Sequence, residues 1–161
     1  MGSNLLSLIE GTTFYYDDLN VGDRFQTAGR TVTEADIVNF AGLSGDFNSV
    51  HVDAEFASTT GNGQRIAHGL LVLAIASGLS TRLPLMKLID KAILGLAGVE
   101  CRWFKPTFAG DTIHVTVEIQ AKEPGKKPDR GTLILKRLAI NQRGETVMES
   151  TSRIVLKMKP A

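Results

Sequence analysis

The spacing of apolar residues changes halfway along the chain. In "TEADIVNFAGLSG", Thr33 to Gly45, the residues Ile37, Val38, Phe40 and Ala41 recur at helical intervals. Thr33 stands where an N-cap belongs, Asp36 follows three residues later, and Gly42 to Gly45 supplies a stop. A second short helix is predicted over "DAEFAST", capped by Asp53, and "TTGNGQRIAHG" reads as a glycine-rich connection. From His68 to about Leu83, "HGLLVLAIASGLSTRL" is apolar almost all round and too long for a strand. That predicts a core helix limited by Pro84.

Beyond Ala97 the segments are long, β-branched and partly alternating: "AGVECRWFKP", "DTIHVTVEIQAKE", "GTLILKRLAINQ" and "ETVMESTSRIVLKMK". Turn signals at Ala109-Gly110, Pro124 to Gly131 and Arg143-Gly144 separate them. An earlier strand in "TAGRTVT" follows a turn at Gly22 and Asp23. Met1 to Thr13 carries one short apolar run, "NLLSLIEG", with at most a helical turn predicted. A core helix with an antiparallel sheet of about five strands is an α+β arrangement. One domain is expected over residues 1–161, with its core at about 17–158.

Composition narrows the chemistry. The chain is 43% hydrophobic and 22% charged with a net charge of +1, so no broad field favours nucleic acid or an anionic membrane. Lys105, Lys126, Lys127 and Arg130 could still meet a local phosphate, although "TTGNGQR" lacks the lysine of a phosphate loop. The single cysteine, Cys101, cannot form an internal disulfide and is expected to be a buried, inert thiol. No basic segment followed by an apolar run opens the chain, and Leu70 to Leu79 is too short to span a bilayer. A cytoplasmic protein with no membrane partner is expected.

Polar chemistry concentrates in "SGDFNSVHVDAEFA", where Asp46, Asn48 and His51 fall within six positions. They could form a simple turn, with Asp46 capping it and His51 packed at the surface. They could also gather a carboxyl and an imidazole around one water, a pair able to move protons in both directions. Spacing alone favours the turn. Asn48 could orient the aspartate or bond its own backbone. Gly69 lies in the first turn of the core helix, where N–H groups lack partners and the dipole is positive, and it could equally serve close packing. His68 suggests a structural or gating part. Ser77 shares the Gly69 face of the helix but could simply bond back to the preceding turn. His114 alternates with Ile113 and Val115 and reads as a solvated strand residue.

The full stretch "FAGLSGDFNSVHVDAEFA" closely resembles the signature of the MaoC-like dehydratases, the hydratase-2 or (R)-specific enoyl-CoA hydratase family. Phe40, Gly45, Asp46, Asn48, His51 and Ala57 fill the family's places, while Ser49 stands where the family usually carries proline. "RIAHGLLVLAIASGL" and "WFKPTFAGDTIHV" resemble the family's central helix and following strand pair, in the same order. The resemblance implies a hot-dog fold, its sheet wrapped around the helix, and reversible addition of water to a trans-2-enoyl thioester to give an (R)-3-hydroxyacyl thioester. It implies Asp46 and His51 as the acid–base pair, Asn48 in support, and the Gly69 N–H as donor to the thioester oxygen. Ser77, His68 and Arg102 are the expected substrate-binding residues. A CoA thioester is the expected substrate, with no metal or other cofactor, and a homodimer or higher homo-oligomer is the expected assembly. The alternatives are a subunit dehydrating acyl groups on a carrier protein, a hot-dog thioesterase, or a non-catalytic acyl-binding subunit.

Overall fold

The computed structural model describes residues 11–160. Most of the run Met1 to Thr13 therefore lies outside the described residues. Strands β1 (Arg24–Gln26) and β2 (Arg30–Thr31) both pair antiparallel with β4 (Thr112–Pro124). The segment expected as a strand, 27–33, holds only β2, and β1 precedes it; between the two, residues 27–29 oppose only 114–115, one residue too many for an unbroken ladder. Thr27 holds the bulge shut: its N–H donates to the Val115 carbonyl, and its hydroxyl accepts the Val115 N–H at 2.9 Å.

Helix α1 (Glu34–Ser44) is built as its residues demand. The Thr33 hydroxyl accepts the Asp36 N–H at 3.1 Å, and the Asp36 carboxylate accepts the Thr33 N–H at 2.8 Å. Gly45 ends the helix at φ 75°, a left-handed conformation that suits glycine. Two short helices follow, α2 (Ser49–Val52) and α3 (Ala54–Ser58), the latter capped by Asp53 as expected. The long apolar segment forms α4 (Gly69–Ser80) and stops short of Leu83. Pro84 does more than limit it: it is the first residue of a further helix, α5 (Pro84–Ile89), where a missing N–H costs nothing.

Strands β3 (Ile93–Trp103), β5 (Arg130–Asn141) and β6 (Thr146–Lys157) complete an antiparallel sheet in the order β1-β4-β5-β6-β3. Its inner face carries Val115, Val117, Ile119, Leu133, Leu135, Met148 and Leu156, and it wraps around Leu71, Val72, Ile75, Ala76 and Leu79 of α4. This is the hot-dog arrangement. The helix is not buried all round, however. Leu70 is 59% exposed, and Ala74, Ser77 and Gly78 share its open side. The edge strand β3 likewise exposes Leu94, Leu96, Val99 and Trp103. Cys101, expected to be buried, is half-buried on β3, and that burial raises its thiol pKa. Among the described residues, no single helix is long and apolar enough to cross a membrane.

Candidate active site

The polar cluster forms where α1 ends and α4 begins. The Ser44 hydroxyl donates to the Phe40 carbonyl at 2.7 Å and accepts the Asp46 N–H at 3.2 Å, which turns the chain sharply out of α1. The Asn48 N–H donates to the Asp46 carboxylate at 3.2 Å, so Asn48 supports the aspartate through its backbone. The Asn48 carbonyl accepts the His51 N–H at 2.8 Å and opens α2, the single turn that aims the imidazole inward.

Two carbonyls then fix the two imidazoles. His51 Nδ1 lies 2.8 Å from the Ile66 carbonyl. A carbonyl can only accept, so Nδ1 carries the proton and Nε2 is left with a free lone pair. His68 Nε2 lies 3.0 Å from the Asp46 carbonyl, which by the same logic makes Nε2 the donor. His68 Nδ1 is buried without a partner. The rings stack at 3.8 Å with an interplanar angle of 28°, and Phe40 closes the far side of His68 at 5.0 Å. The Asp46 carboxylate and one ring nitrogen of each histidine lie within 4.8 Å of one another. That donor set could in principle hold a divalent ion.

Gly69 follows His68 directly as the first residue of α4, so its N–H has no intrahelical partner. Its packing is as demanding as its chemistry. The Trp103 indole N–H donates to the Gly69 carbonyl at 2.9 Å, and a Cβ at position 69 would stand 2.9 Å from the ring. The close-packing reading of this glycine is met, and its N–H stays open at the start of the helix. Gly69, Val72, Trp103, Lys105 and Thr107 line a cleft of about 350 Å³ beside the polar cluster.

The remaining expected residues divide. Ser77 is exposed on the open side of α4, two turns beyond Gly69, and the serine that bonds back to the preceding turn is Ser80, to Ala76 at 2.8 Å. His68, expected at the substrate or as a gate, is 2% exposed and pinned beneath Asp46 by its bond to the Asp46 carbonyl. Arg102 stands apart from the Gly69 cleft. Alternation along β3 turns it to the face opposite Trp103, where it shares a separate polar cleft with Glu100, Glu149 and Thr151. Lys105 and Arg130 are engaged in ion pairs with Glu145 and Asp129. Trp103 is the contributor that pattern reading missed. Its one signal was being the sole tryptophan, at the end of a strand.

This geometry has close relatives. A family model described as "MaoC like domain" matches residues 18–137. The chain is 32% identical over 143 residues to an (R)-specific enoyl-CoA hydratase of Rhodospirillum rubrum, covering 88% of this chain and 91% of that protein. It is 37% identical over 108 residues to protein MaoC of Klebsiella aerogenes, 67% of this chain, but spans only 31% of that longer protein. The crystal structure of a MaoC-like dehydratase from Rhodospirillum rubrum superposes with a TM-score of 0.80 at 36% identity, covering 92% of this chain and 99% of that one. A carboxylate and two imidazoles drawn together, an open helix N-terminus beside them, and these matches lead to one conclusion: the chain belongs to the MaoC-like family of hydratases and dehydratases, enzymes of the lyase class.

Proposed function

We propose that the protein is an (R)-specific enoyl-CoA hydratase, adding water reversibly to a trans-2-enoyl thioester. The observation that carries this reading is the His51–Ile66 hydrogen bond at 2.8 Å. It leaves Nε2 as a base, within reach of a water shared with the Asp46 carboxylate. Nε2 takes one proton of that water as its oxygen bonds to the β-carbon. The proton taken by Nε2 is passed within the Asp46–His51 unit and delivered to the α-carbon from the Asp46 side, so both hydrogens of the water end on the product and the pair returns to its starting state. Negative charge building on the thioester oxygen meets the Gly69 N–H at the positive end of α4. No electrons change hands, so no redox cofactor is required.

We further place the working unit in a homodimer. The open side of α4 and the exposed apolar residues of β3 lie where a second copy would extend the sheet edge to edge. The relatives named as (R)-specific hydratases support the substrate class. The test is hydration of crotonyl-CoA, followed by loss of enoyl thioester absorbance and chiral analysis of the product. The (R)-3-hydroxy product is expected. Release of free thiol without hydration would indicate a thioesterase, and the (S) product would refute the proposed stereochemistry.

A further inference from the structure

The inner face of the sheet carries one cation that the reaction above does not use. Arg137 lies on β5 between Val117 of β4 and Ser150 of β6, among residues that otherwise form the core. It is 6% exposed. Its Nη1 donates to the Ser152 hydroxyl, while its Nε and the neighbouring Ser150 hydroxyl are both buried without a partner. No carboxylate among the described residues acts on it, and burial alone shifts its pKa downward. The acids nearby on the strands point the other way: Glu149 pairs with Lys136 and Glu118 with Arg24 on the outer face. A guanidinium withdrawn from water with a single neutral partner is costly, and the unused Nε edge is the one that receives a carboxylate side-on.

Topology places this cation along the path from Gly69. Helix α4 starts against Trp103, the last residue of β3, and the chain returns through α5 to the first residue of β3. The helix and β3 therefore run in opposite directions, and descending from Trp103 along β3 follows α4 away from Gly69. One inward step down, Cys101 pairs with Ser150 and Ser150 with Arg137. That step is two residues, about 7 Å, and Arg137 lies two strands further across the sheet, about 10 Å, a distance its long side chain spans in part. An acyl tail running along α4 from a carbonyl held at Gly69 would come down onto this rung. A second copy packed on the open side of α4 would bring no acid from that helix, whose twelve residues include none.

We infer that Arg137, Ser150 and Ser152 form a carboxylate subsite, and that the preferred substrate is an enoyl thioester whose acyl chain ends in a carboxylate. The inference rests on the hydratase reading only for where the thioester carbonyl lies.

The test compares binding of two unreactive saturated thioesters of equal length, adipyl-CoA and hexanoyl-CoA, by calorimetry on the full chain. Adipyl-CoA should bind at least about tenfold more tightly, the order expected of one charge-assisted pair. Arg137→Met should bring the ratio to near one, and Arg137→Lys should keep part of it. If Arg137→Met does not fold, Ser150→Ala with Ser152→Ala reads the same ratio and should lower it severalfold. A wild-type ratio near one, or a ratio untouched by these substitutions, overturns the subsite. Crotonyl-CoA hydration in the same preparation reads the reaction separately. Adipyl preference without turnover would keep the subsite and remove the hydratase reading, and turnover without preference would do the reverse.

Discussion

Two polar clusters crown this molecule, and they treat their polar atoms in opposite ways. In the corner between β4 and the β5–β6 turn, Asp111 accepts from the Phe108 N–H, Gln142 and Arg143 at 2.7–2.9 Å. Glu145 accepts from Asn141, Lys105 and Arg143. These bonds hold the Glu145 carboxyl at a pKa of about 2. Burial pushes the Asp111 carboxyl up, yet its bonds to Arg143, Phe108 and Gln142 outweigh that and keep it below the usual range. In the α1–α4 cluster, by contrast, among the described residues the Asp46 carboxylate accepts only the Asn48 N–H, His51 Nε2 is open, and His68 Nδ1 is unpartnered. The first cluster has spent its hydrogen-bonding capacity on the fold. The second keeps it in reserve, which is what proton transfer to a visiting molecule requires.

The sharpest way to break this contrast is to remove the reserved groups. Asp46→Asn and His51→Ala should each lower turnover of crotonyl-CoA by about a hundredfold or more while the unfolding midpoint barely moves. Substantial activity in either folded variant would put the chemistry elsewhere. His68 tests whether the reserve is positioned. Gln can present a donor where Nε2 lies and Asn where Nδ1 lies, so His68→Gln should retain kcat within about tenfold while His68→Asn loses more. Equal losses would make His68 mere packing. Next comes Gly69→Ala, whose methyl must displace the Trp103 ring, with kcat expected to fall by about tenfold. Trp103→Phe in the same chain should recover part of the loss, a coupling that stopped-flow kinetics on the double variant would detect.

The smallest effect belongs to the saturated cluster. Asp111 has a folded-state pKa below its unfolded value of about 3.9, so its stabilisation is complete above that pH and is lost as pH falls through the folded pKa. Asp111→Asn should therefore cost about 1–3 kcal/mol at neutral pH and leave a flatter stability curve below about pH 4. Activity per folded molecule should be unchanged. Urea midpoints between pH 7 and pH 3 measure it.

Local signals carried much of this into the sequence. The Thr33–Asp36 capping box, the Gly45 stop and the Asp53 cap are reciprocal bonds within four residues, legible to anyone counting positions. The β4, β5 and β6 segments were legible by alternation. What escaped was non-local or too short to show a period. Helix α2 has four residues, and the break between β1 and β2 depends on Thr27 bonding a strand 88 positions away. Within the site, Asp46, Asn48 and His51 could be named from their spacing and motif. Their wiring could not, since His51 is fixed by a carbonyl 15 residues later and Gly69 by an indole 34 residues later. The face that Arg102 takes was hidden for a related reason: one position along a strand reverses the face, and spacing did not say which face β3 would turn inward.

The placement of Trp103 gives the protein a built-in optical probe. It is the sole tryptophan, it is 44% exposed, and its indole N–H rests on the residue whose own N–H we propose as donor to the thioester oxygen. Excited at the red edge, beyond the absorption of Tyr15 and Tyr16, intrinsic emission should thus come from one chromophore at the mouth of the cleft. A ligand reaching Gly69 would exclude solvent from that ring and shift its spectrum. Docking of the thioester could then be timed separately from the making of the carbon–oxygen bond, in an unlabelled chain and with substrates that absorb too weakly to follow directly.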